Sequence, residues 1–188
     1  MAEQKKSSAK AMILPPLVLA VICAVCCAFL ALANMVTKDK IAAAEADAIQ
    51  SSLQQLPDAG TFEEITDFTP ENNEKATATG LYQDEKGQFA VLVTADGYNK
   101  GGLQVVIGVD KDGAVTGVSF VTVSETPGLG TKVQSNPELL VDNLVGLSDE
   151  TVNGVDNITG ATYSSKGMKA AVNCALATVS ANQEVTGA

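Results

Sequence analysis

The stretch Gly102–Val123, GLQVVIGVDKDGAVTGVSFVTV, decides the fold. Val105, Ile107 and Val109 alternate on one face, the polar run Asp110-Lys111-Asp112-Gly113 makes a turn, and Val115, Val118 and Phe120 belong to the return strand. Alternation with period two on both sides of a glycine-ended turn is the pattern of a β-hairpin. Immediately upstream, LYQDEKGQFAVLVTADG repeats the arrangement around Asp84-Glu85-Lys86-Gly87, with Phe89, Val91 and Val93 alternating. Three or four antiparallel strands with polar turns follow, forming a half-buried sheet.

Downstream, Ser124-Glu125-Thr126-Pro127-Gly128-Leu129-Gly130 is a loop with unusual backbone angles. It is either a long sheet-to-helix turn or a place where the backbone meets a ligand. Asn136-Pro137 reads as the start of a short helix, PELLVDNLVGL. Val152–Ile158 suits a short strand ended by Gly160. Ser164 or Ser165 then caps a helix whose apolar face is Met168, Ala171, Val172, Ala175 and Val179. Upstream, IAAAEADAIQSSLQQL forms a helical stalk over residues 37–57, stopped at Pro57, and residues 58–79 read as a polar linker. The expected domain is α+β over residues 80–188, an antiparallel sheet with its helices packed on one face.

Ala11–Val36, AMILPPLVLAVICAVCCAFLALANMV, carries no charge. A membrane-spanning helix needs about 20 apolar residues, so this segment spans as a single anchor, with Pro15 and Pro16 near its start. Lys5, Lys6 and Lys10 precede it, whereas Lys38, Asp39 and Lys40 follow with a balance of only +1. The positive-inside rule places residues 1–10 in the cytoplasm and the larger domain outside. Ala31-Leu32-Ala33 offers the rival reading of a cleaved signal peptide, but the apolar run is too long and continues into the stalk. Cys23, Cys26 and Cys27 lie within the span, where cysteine serves as a small apolar filler. An absence of ionisable groups there makes the helix an anchor and not an ion path.

Charge and composition close several functions. The first 36 residues sum to +2 and the remaining 152 to −12, an acidic balance unsuited to nucleic acid. With no His and no Arg, the chain has no Ser-His-Asp triad, no His-ligated metal and no guanidinium clamp. Redox or group-transfer activity therefore requires a bound cofactor.

The turn Thr159-Gly160-Ala161-Thr162 stands directly before the last helix. Unpaired N–H groups and the helix dipole make such a place suited to phosphate. Gly160 and Ala161 remove bulk, Thr162 and Ser164 supply hydroxyls, and Lys166 supplies a charge. The same residues also describe an ordinary helix cap, and chemistry alone leaves both readings open.

Asp156-Asn157-Ile158-Thr159-Gly160-Ala161-Thr162-Tyr163-Ser164 resembles the flavinylation motif of the FMN-binding domain in Rnf and sodium-pumping quinone reductase complexes. Gly97-Tyr98, the strand after Gly102, the DKDG turn and Glu125-Thr126-Pro127-Gly128-Leu129-Gly130 fall in that family's order. With the anchor, the resemblance covers nearly the whole chain, and its length is more like the Rnf G subunit than the longer quinone reductase C subunit. It implies FMN joined to Thr162 as a phosphoester, attached from FAD by a flavin transferase. Thr159, Gly160, Ala161, Ser164 and Lys166 would surround the attachment, and Glu125, Thr126, Gly128, Leu129 and Gly130 would form the facing loop. It further implies an electron carrier working with other subunits in a bacterial membrane complex that couples ferredoxin:NAD electron transfer to ion movement. The alternatives are a C-like quinone reductase component and a non-redox anchored module. Val123-Ser124 stands where many relatives carry histidine before the loop, and Thr159 where many carry serine.

Overall fold

The computed structural model describes residues 2–186. Helix α1 (Ala2–Gln54) contains the candidate span, the one helix among the described residues long and apolar enough to cross a membrane. Its best window has a mean hydropathy of 2.8, and Met12 to Ala46 are exposed all round. An all-round apolar helix has no core of its own to face, so lipid or other chains must supply one. Pro15 and Pro16 lie inside the helix, not at its start, because helix continues before them. Prolines are tolerated within helices in a membrane setting.

The second compact unit begins at Asp47. Five strands form an antiparallel sheet in chain order: β1 (Phe62–Ile65), β2 (Ala76–Asp84), β3 (Phe89–Ala95), β4 (Leu103–Val109) and β5 (Val115–Val123). Both expected hairpins are present, and they use one device. The Asp84 Oδ1 accepts from the N–H groups of Lys86 (2.9 Å) and Gln88 (2.8 Å), and Asp110 Oδ1 accepts from Asp112 (2.9 Å) and Ala114 (2.8 Å). Val105 faces Phe120 and Ile107 faces Val118, while a register shift between Gly108 and Val109 brings Val115 opposite Val109. That bulge keeps Val115 on the core face although its number is odd and those of Val118 and Phe120 are even.

Helix α4 (Thr162–Thr186) covers one sheet face. Its Met168, Ala171, Val172, Ala175 and Val179 are buried against Phe89, Val91, Val93, Val105 and Ile107, as the spacing predicts. The opposite face is not left to solvent: Leu53 and Leu56, at the end of the stalk, bury against Tyr82, Ala90, Leu92 and Val106. The helices therefore take both faces. Sheet residues such as Ala90 and Val106 are apolar for this reason, where a one-sided sheet would be polar.

Three expectations need correction. Residues 58–79 are not a linker: Phe62–Ile65 pairs with β2, and β2 itself begins at Ala76. Between them, Asn182 accepts from the Thr69 N–H (2.8 Å) and donates to the Thr69 carbonyl (2.8 Å), while Thr178 Oγ1 accepts from the Glu71 N–H (3.1 Å). Polar side chains of α4 thus bind this segment's backbone, which explains its linker-like composition. PELLVDNLVGL forms no helix of its expected length: α2 (Lys132–Ser135) precedes a single 3-10 turn at Pro137–Leu139. Val152–Ile158 is no strand, since α3 (Asp149–Val152) ends there and Val152 and Ile158 bury in the α4 core.

Candidate functional site

Glu125 organises the end of the sheet next to the start of α4. It follows β5 and is only 6% exposed. Its Oε2 accepts from the Tyr98 N–H (3.1 Å) and the Ser164 hydroxyl (2.6 Å), and its Oε1 accepts from the Asn99 N–H (3.1 Å). One carboxylate therefore joins the β3–β4 loop, its own loop and the first turn of α4. Three donors, two of them backbone, satisfy the charge without a lysine. The sequence makes room for it with glycine. A Cβ on Gly97 or Gly130 would lie 2.5 Å from a Glu125 oxygen, and one on Gly102 would collide with Oε1. Gly167 likewise lets α4 lie on the loop, since a Cβ there would sit 2.5 Å from the Asp96 carbonyl oxygen.

The Thr159–Thr162 turn is built locally. Ala161 N–H donates to the Ile158 carbonyl (2.9 Å) across Gly160, whose φ of 81° is open to glycine and costly for other residues. Neither expected serine caps the helix. Ser164 is committed to Glu125, and Ser165 Oγ accepts from the Ile158 N–H (3.0 Å) while donating to the Ala161 carbonyl (2.9 Å). The first helical bond is Ser165 N–H to the Ala161 carbonyl (2.9 Å). The backbone N–H groups of Thr162, Tyr163 and Ser164 have no protein acceptor among the described residues. An uncapped helix start of this kind leaves donors for an anion.

A cleft of about 360 Å³ opens there, lined by Tyr98, Thr126, Leu129, Gly130, Gly160, Ala161, Thr162, Tyr163 and Ser164. Thr162 is exposed, so its hydroxyl is reachable. Tyr98 and Tyr163 meet edge to face with ring centroids 6.2 Å apart, and both rings and Leu129 remain largely exposed. Aromatic and aliphatic walls around a polar corner suit a flat ring system carrying a phosphate.

The expected residues divide. Thr126, Leu129, Gly130, Gly160, Ala161, Thr162 and Ser164 line the cleft; Thr159, Gly128 and Glu125 do not, Glu125 standing behind its wall. Lys166 lines a different depression, with Lys75 and Lys169. The cation beside the turn is Lys132, whose Nζ lies 4.0 Å from the position of a Cβ on Gly160. Sequence reasoning missed Lys132, Tyr98 as a wall and the ring of Tyr163. Only the position of Lys132 two residues after the glycine loop hinted at it.

An anchor helix followed by this sheet, glycine loop and threonine turn defines a membrane-anchored protein with an FMN-binding domain. A model of the FMN-binding domain matches residues 97–177, and one of the RnfG N-terminal region matches residues 1–56. The chain is 32% identical to the G subunit of an ion-translocating oxidoreductase complex from Shewanella amazonensis, covering 85% of this chain and 84% of that one. The corresponding G subunit of Methanosarcina acetivorans is also 32% identical, over 87% of this chain and 92% of its own. The G subunit of the Na(+)-translocating ferredoxin:NAD(+) oxidoreductase complex of Acetobacterium woodii is 29% identical over 85% and 87%. The chain belongs to this family, the G subunits of ion-translocating oxidoreductase complexes.

Proposed function

We propose that this chain is the FMN-carrying electron-transfer subunit of an ion-translocating ferredoxin:NAD oxidoreductase complex, with the flavin held covalently on Thr162. The observation that carries the reading is the exposed Thr162 hydroxyl at an uncapped helix start, inside a cleft walled by Tyr98, Leu129 and Tyr163. Bound FMN would supply the redox chemistry. Thr162 Oγ provides the oxygen of the phosphoester. Backbone N–H groups of the first turn and the ammonium of Lys132 offset the phosphate charge, a role the structure favours for Lys132 over Lys166. The tyrosines and Leu129 offer apolar surface to the ring system, and the Glu125 tie holds the loops that present them.

Maturation is assigned to a flavin transferase using FAD, and the working partners are the other subunits of the complex. Covalent attachment suits a domain outside the membrane, where a dissociated flavin would be lost.

Intact mass and in-gel flavin fluorescence after denaturation test the reading, on chain matured in its host. The expected band is fluorescent, carries the mass of one FMN less water, and maps to the Thr162 peptide. Thr162→Ala is expected to give a dark band of unmodified mass with an unchanged melting profile. Flavin retained in that variant refutes the assignment, and a dark band from mature parent chain returns the turn to the status of a simple helix start.

A further inference from the structure

The unit from Asp47 onward holds seven lysines against nineteen acidic residues, yet three of those lysines share one cleft. Lys75 from the start of β2's approach, and Lys166 and Lys169 from α4, line an open depression of about 530 Å³ with Asn73, Asn153 and Asn173. Glu74 is the one acidic residue in the lining, and no ion pair joins these lysines to an acidic group among the described residues. Lys169 is buried, with its Nζ donating to the Val155 carbonyl (2.8 Å). Asn73 Nδ2 donates to the Ala170 carbonyl (2.8 Å) and Asn173 Nδ2 to Asn153 Oδ1 (3.2 Å).

A random scatter of lysines on so acidic a surface would favour pairing with carboxylates, and here three cations gather around a lining whose one carboxylate is Glu74. Asn173 Oδ1 is the one buried side-chain polar atom among the described residues with no hydrogen-bond partner. That atom is itself closed off from the cleft, so what the depression offers a ligand is its cations, and these call for carboxylates.

From this geometry we infer that the Lys75–Lys166–Lys169 cleft docks a short acidic segment of a neighbouring subunit. The scale of the field favours a short segment over an extended polyanion. At physiological salt the Debye length is about 8 Å, so the local cations dominate inside the cleft and the surrounding acidic surface dominates beyond it. A nucleic acid or an anionic lipid surface would meet the nineteen carboxylates, while a segment with two or three acidic side chains meets only the cleft. Lys166 lies one helical turn beyond Thr162, about 6 Å along the axis. The neighbour held there stands beside the proposed flavin site. The inference rests on the reading of the chain as a subunit of a complex, but not on the flavin linkage.

The test uses the assembled complex purified from its host in detergent. With Lys166 replaced by a photo-crosslinking benzoylphenylalanine, light is expected to capture a peptide of another subunit bearing clustered Asp or Glu. In a second arm, Lys75→Gln with Lys166→Gln is compared with the parent as salt rises from about 0.1 M to about 1 M, shortening the Debye length from about 10 Å to about 3 Å. The variant chain is expected to leave the complex at a severalfold lower salt concentration. Capture of lipid, nucleic acid or a peptide without acidic residues overturns the inference, as does an unchanged salt profile. Flavin fluorescence of the variant is expected to match the parent; a loss would place these lysines in the attachment site and also overturn docking. A parent chain without covalent flavin would sink only the Thr162 assignment, leaving the crosslink and salt results to stand.

Discussion

Glu125 shows how a single side chain determines the shape of a site it does not line. Its two oxygens accept three hydrogen bonds from two separate stretches of chain, the β3–β4 loop and the first turn of α4. Glu125→Gln keeps size but replaces one acceptor by an NH₂ group facing a donor. Hydrogen bonds to a charged group are worth about 1.5–3 kcal/mol, so a loss of about 2 kcal/mol is expected. Thermal melts of the full chain in detergent check it, and an unchanged melting temperature would mean that the tie carries no net stability. Cys174 makes a different prediction. It is 2% exposed, its thiol donates to the Glu71 carbonyl (2.9 Å), and burial pushes its pKa up to about 11. A raised pKa means the folded chain holds the proton more tightly. The contribution is therefore complete below about pH 9 and fades as pH climbs toward 11, by an order of 2–3 kcal/mol. Cys174→Ala is expected to flatten that decline relative to the parent, leaving the same-signed fall from Tyr82, which burial also raises. Parallel pH profiles for the two chains would rule the thiol out as its source.

Among elements, legibility followed the range of the interactions that define them. The hairpins at Asp84–Gln88 and Asp110–Ala114 were readable because aspartate, glycine and strand alternation lie within one short window. Strand β1 was not, because FEEI is exposed at its middle and owes its conformation to pairing with Leu81–Asp84. Residues 137–147 carried apolar residues at near-helical spacing, but Leu140 and Leu144 reach the core from consecutive turns. The candidate site divides the same way. Thr162 and its turn are contiguous, whereas Lys132 arrives from the start of α2 and Tyr98 from a distant loop held by the Glu125 tie. Helix α4 supplies the test at this scale. Glycine within a helix ordinarily costs about 1 kcal/mol relative to alanine, so Gly167→Ala should stabilise by propensity alone. The approach of the Asp96 carbonyl reverses that expectation, since the added methyl would lie 2.5 Å from it. The substitution is expected to lower the melting temperature and to reduce covalent flavin by displacing the Tyr98 loop. A gain in stability would show that α4 does not hold that loop closely.

At the scale of the whole molecule, the remaining question is which side of the membrane receives the acidic domain. The apolar run itself is silent, as it bears no charge from Ala11 to Val36. Orientation follows from its flanks: three lysines and one glutamate lie before it, and two lysines and one aspartate lie just after it. Lysines close to a span are retained on the cytoplasmic side, while acidic residues contribute little to that choice. The proposed arrangement is N-terminus inside and the unit from Asp47 outside. Cysteine chemistry offers a clean readout, because the chain's own thiols are shielded from a charged reagent. Cys23, Cys26 and Cys27 fall within the apolar run, and Cys174 is buried with its thiol held protonated. A new cysteine in place of exposed Glu85, on the β2–β3 turn, is expected to react with a membrane-impermeant maleimide on intact cells. One in place of Ser7 is expected to react only after permeabilisation. The opposite pattern would put the domain in the cytoplasm, and the flavin would then no longer need covalent attachment to be retained by the cell.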